Sequence, residues 1–81
     1  MRKRGSRMKN DRDVERLAAQ MGLKPESRQA VAQYGKGLLE GMRLAYVAVA
    51  RRMYLDGQTE PDIRRFLGRL MDRDQVNDII R

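Results

Sequence analysis

Eighty-one residues make one small domain, of a size that buries only about 60% of the surface its unfolded chain exposes. No cysteine and no histidine occur, which removes disulfides, thiolate zinc sites, thiol nucleophiles, and the commonest general base and metal ligand. The formal net charge of +7 points toward polyanions or acidic partners.

The charge is concentrated at the start. Residues 1–12 hold Arg2, Lys3, Arg4, Arg7, Lys9 and Arg12 against Asp11 alone, +5 in all, while residues 34–55 add +3 and residues 56–81 give −1. With no apolar periodicity, residues 1–10 are expected to be a disordered basic arm, and residues 11–81 a single helical domain. No apolar run follows the charges as it would in a secretory signal. The longest weakly charged stretch, Leu44 to Ala50, is too short to span a bilayer. A cytoplasmic protein without a membrane partner is the expectation.

A first helix is expected from Asp11 to about Met21, capped by Asp11 or Asp13 and stopped at Gly22, with Val14, Leu17, Ala18 and Met21 on one face. Pro25 and Glu26 suit the first turn of a second helix, which the pattern carries on to Leu55, where Asp56-Gly57 ends it. Residues 42–50 are apolar nearly all round, so such a helix needs cover on several sides. Short companion helices offer little, and a homodimer through Leu38, Gly41, Leu44, Ala45, Val47 and Ala48 is expected. Gly35, Gly37 and Gly41 fall inside this helix, either weakening it or letting another backbone come close.

A third helix opens at Thr59, with Asp62 placed to answer a threonine cap; Ile63, Phe66, Leu67 and Leu70 face inward and Arg64, Arg65, Arg69 and Arg73 outward. A fourth starts near Asp72, with Gln75 in the capping position and Val76, Ile79 and Ile80 turned inward. The fold class expected is therefore all-α: a small helical bundle around one long central helix, ending in a helix-turn-helix-like pair.

The run from Leu55 through Gly57, Ile63 and Gly68 to Val76 and Ile79-Ile80 has the order of a helix-turn-helix unit. Together with Gly35-Lys36-Gly37 and Glu40-Gly41, residues 34–81 resemble the glycine-rich helical tail of the Rpn (PD-(D/E)XK transposase-associated) nuclease family. The C-terminal pair also resembles the helix-turn-helix of resolvase-like proteins. Val76 falls about two residues later than either pattern places it, and the Rpn nuclease part has no counterpart here. The resemblance implies a DNA-binding or tail-type interaction module without a catalytic domain. Against groove reading, the would-be recognition helix carries Asp72, Asp74 and Asp78, leaving Arg73, Gln75, Asn77 and Arg81 for contacts.

No catalytic constellation is legible, since Ser6 and Ser27 lack an activating histidine and the carboxylates are scattered among arginines. No cofactor, metal or small-molecule substrate is expected. The reading is a non-enzymatic, regulator-type nucleic-acid-binding protein, DNA before RNA, using Arg2, Lys3, Arg4, Arg7, Lys9, Arg12, Arg64, Arg65, Arg69 and Arg73. The alternative is a protein-binding inhibitor or adaptor of the phage or mobile-element kind, which docks an acidic protein partner.

Overall fold

The computed structural model describes residues 10–80. It is all-α, with helices α1 (Asp11–Gln20), α2 (Pro25–Leu39), α3 (Arg43–Leu55), α4 (Glu60–Leu67) and α5 (Arg73–Ile80), and no strand among the described residues. No helix among them is long and apolar enough to cross a membrane.

The single helix expected over residues 25–55 is two helices. Gly41 has φ +76, a left-handed conformation that a Cβ disfavours. Around it the Met42 N–H donates to the Gly37 carbonyl at 2.8 Å and the Gly41 N–H to that of Leu38 at 3.2 Å. This paired-bond glycine stop satisfies carbonyls that the end of α2 leaves open. The same device closes α1 at Gly22 and α3 at Gly57.

The break turns α3 back along α2. At one end of the pair the buried Ser27 hydroxyl donates to Asp56 Oδ2 at 2.7 Å. At the other, a Cβ placed on Gly37 would lie 2.8 Å from Ala45 Cβ. The two helices therefore run antiparallel over their full lengths, and Gly37 is a close-approach point within the chain itself. Tyr46 locks this end, its hydroxyl donating to the Leu38 carbonyl. Burial holds the Tyr46 phenol above its ordinary value near 10.

Folding back changes what covers the apolar girdle. Ala45, Tyr46, Val49 and Met53 are buried against α2, α4 and α5. They join Val14, Leu17, Ala18, Leu23, Ala30, Val31, Leu38, Ile63, Phe66, Leu67 and Val76 in one core. Three of the nine girdle residues, Ala45, Tyr46 and Val49, thus need no second copy.

The caps follow the sequence with one shift. Asn10 begins α1, its side chain accepting the Asp13 N–H at 3.0 Å; the cap expected at Asp11 or Asp13 is one to three residues too late. Asn10 has the extended backbone that this role requires, whereas Asp11 and Asp13 are helical and serve the first turn, where negative charge suits the helix dipole. Thr59 and Asp62 form the reciprocal capping box that starts α4. At α5 the Asp72 N–H donates to Gln75 Oε1 at 2.9 Å.

Candidate nucleic-acid-binding and docking surfaces

Charge divides sharply along the chain. Residues 10–80 contain twelve basic and eleven acidic side chains, a net +1, whereas residues 1–9 contain five basic and no acidic ones. Arg2, Lys3, Arg4, Arg7 and Lys9 lie outside the described residues, as does the disorder expected of residues 1–10 except at Asn10, which is ordered as the cap of α1. Their point of attachment is described. Asn10 and the first turn of α1 lie beside the C-terminal half of α2, where the Asp11 side chain is 3.5 Å from the position of a Cβ on Gly35. An open cleft there is lined by Arg12, Glu15, Lys36 and Glu40. A second cleft shares Leu39 and Glu40 with it and continues to Arg69 and Asp72 in the α4–α5 turn. The start of α1, the α2–α3 turn and the α4–α5 turn therefore meet at one end of the bundle.

The basic residues singled out on the body fall into two groups. Arg12, Arg69 and Arg73 are exposed and make no ion pair among the described residues. Arg64 is engaged twice, by Glu60 Oε2 at 2.9 Å and by Asn77 Oδ1, and Arg65 lies 3.5 Å from Asp62 Oδ1. Exposed pairs of this kind are weak, roughly 0–1 kcal/mol, yet each holds its guanidinium beside a carboxylate. Arg64 and Arg65 are thus poorer phosphate ligands than Arg12, Arg69 and Arg73.

Three polar side chains of α5 are also occupied. Gln75 accepts the Asp72 N–H, Asn77 accepts from Arg64, and Asp78 Oδ2 lies 3.6 Å from Arg43 Nε on α3. A groove-reading helix needs such groups free to meet base edges. Here Gln75 caps the start of α5 itself, and Asn77 and Asp78 fasten α5 to α4 and α3.

The interface residues also separate. Leu38 and Ala45 are 1% and 8% exposed and belong to the chain's own core. Gly41 forms the turn. Leu44, Val47 and Ala48 lie on the opposite side of α3, with Leu44 79% exposed. Arg51, Tyr54 and Leu55 continue that outward side, at helical spacings of three and four from Leu44, Val47 and Ala48. The pattern was present in the sequence, but without the break at Gly41 it merged into an apolar circumference.

At the far end of the bundle, Asp56 caps the C-terminus of α3, where the helix dipole disfavours a carboxylate. The Ser27 hydroxyl offsets this at one oxygen, and Arg52 Nε stands 3.6 Å from the other. The Asp56 side chain is nearly buried, and this trio joins the start of α2 to the end of α3. Among the described residues, no three acidic side chains gather as a metal site would require.

No protein-family model, curated protein or solved structure matches the chain.

Proposed function

We propose that the protein is a non-catalytic nucleic-acid-binding protein, with duplex DNA favoured, in which residues 1–9 supply most of the phosphate-neutralising charge. The partition of charge carries this reading: five basic and no acidic side chains over nine residues, beside a body of net +1. Arg12 and Arg69 add to this charge from one end of the body, because both are exposed and unpaired among the described residues, in clefts that share Leu39 and Glu40. Acidic neighbours at that end, Glu15, Glu40 and Asp72, restrict the footprint on the body and leave residues 1–9 dominant.

Such binding is electrostatic and weakly dependent on sequence, since phosphate contacts carry no base information. The likeness to a helix-turn-helix tail then has a structural meaning: α4 and α5 cover α3, and their polar groups are used in doing so. A titration of labelled duplex at about 50 mM salt, where screening is weak, tests the reading. The full chain should bind and a chain beginning at Asn10 should bind far less, with equal helicity by circular dichroism. Equal binding by the two chains would refute it.

A further inference from the structure

The outward side of α3 is apolar and uncovered by the rest of the described chain. Leu44, Tyr54 and Leu55, at 79%, 72% and 63%, are its most exposed large apolar side chains, and Val47 and Ala48 lie partly buried between them. Arg51 stands in the middle of the stripe. Its position differs from that of the other arginines on α3, because Arg43 is paired with Asp78 and Arg52 with Asp56, whereas Arg51 has no carboxylate partner among the described residues. No acidic residue occurs anywhere between Glu40 and Asp56.

We infer that this face docks one amphipathic helix of a different protein, with apolar side chains against Leu44, Val47, Ala48 and Leu55 and a carboxylate opposite Arg51. Charge selects this occupant over a second copy. In an antiparallel self-pairing about the middle of the stripe, Arg51 falls near its own mate, and the face offers neither guanidinium an acid. At a rise of 1.5 Å per residue, α3 presents a strip about 20 Å long and roughly one helix diameter wide, which a single helix covers, anchored by residues three and four apart.

The inference is independent of the proposed nucleic-acid binding, which rests on residues 1–9 and not on the outward side of α3. Its test is titration of the isotope-labelled full chain with two designed helical peptides, followed by amide chemical shifts. Both carry leucines at positions i, i+4, i+7 and i+11; one flanks them with glutamates and the other with lysines. The glutamate peptide should shift signals from the outward side of α3 and bind at least about tenfold more tightly than the lysine peptide. Arg51→Glu, an exposed change that leaves the core intact, should reverse that preference. Leu44→Ser with Leu55→Ser should weaken both peptides. Equal binding of the two peptides, shifts located elsewhere, or no binding at about 1 mM peptide would overturn the inference. So would a dimer by light scattering in the absence of peptide that Leu44→Glu dissolves, because a second copy would then be the occupant.

Discussion

Replacing Gly41 with alanine tests the break between α2 and α3 by the sign of its effect. At φ +76, a Cβ costs about 1–2 kcal/mol in backbone strain. No atom lies within 4 Å of where that Cβ would stand, so no clash adds to this and no new packing relieves it. In an uninterrupted helix over residues 25–55 the same substitution would stabilise by roughly 1 kcal/mol, the glycine-to-alanine difference in helix propensity. The two structures are thus separated by about 2–3 kcal/mol with opposite signs. Thermal unfolding followed by far-UV circular dichroism reads the difference, because 1 kcal/mol moves the Tm of a domain this small by about 4–8 °C. Gly41→Ala should lower the Tm by several degrees. Gly37→Ala should lower it also, since its Cβ would meet Ala45 Cβ at 2.8 Å and overpacking of about 1–3 kcal/mol outweighs the propensity gain. If both variants melt higher than the parent, the hairpin of α2 and α3 is wrong.

The remaining stability predictions follow from buried polar groups. Ser27→Ala removes the hydroxyl that donates to Asp56 Oδ2 and should destabilise by about 1–3 kcal/mol in urea unfolding. Adding Asp56→Ala should then cost less than it does alone, and strict additivity would show that the two groups are uncoupled. Tyr46→Phe removes the bond to the Leu38 carbonyl, a loss of about 1 kcal/mol near neutrality. Because burial raises the folded-state pKa of Tyr46 above its unfolded value near 10, its contribution is complete below about pH 10 and is lost as pH rises through the folded value. The parent should therefore lose stability in alkali faster than Tyr46→Phe, and parallel curves would contradict the burial of that phenol. Gln75→Ala and Asn77→Ala should lower stability slightly while leaving any preference among DNA sequences unchanged, as competition binding against unrelated duplexes would show.

The sequence disclosed most of the elements because their ends are chemically marked. Pro25, the Thr59 and Asp62 capping pair, Gly22 and Gly57 each specify a start or a stop locally, and the folded chain uses all of them. The end of α2 was hidden for a physical reason. Gly37-Leu38 and Gly41-Met42 present the same local signal, a glycine followed by an apolar residue. Which one turns the chain is decided by tertiary fit: Gly37 is helical and lies against Ala45, while Gly41 takes the positive φ. Missing that turn made Ala45 and Leu44 equivalent members of one girdle, although the first is buried and the second is the most exposed large apolar residue among those described. Arg51 escaped notice for the same reason, since only the folded hairpin shows which face it shares. The engagement of Arg64 by both Glu60 and Asn77 joins two helices and is likewise a tertiary fact. The concentration of charge in residues 1–9 needs no structure to read.

The central functional claim is tested most directly by the salt dependence of duplex binding. Neutralising about four to five phosphates gives a slope of log affinity against log salt near −4, at roughly −0.9 per phosphate. The full chain should show that slope on duplexes of unrelated sequence. Replacing Arg2, Lys3, Arg4 and Arg7 together by glutamine should flatten it by about 3–4 units, whereas replacing Arg64 and Arg65, already held by Glu60 and Asp62, should change it little. A slope unaltered by the fourfold replacement, or no measurable binding at about 50 mM salt, would contradict the account.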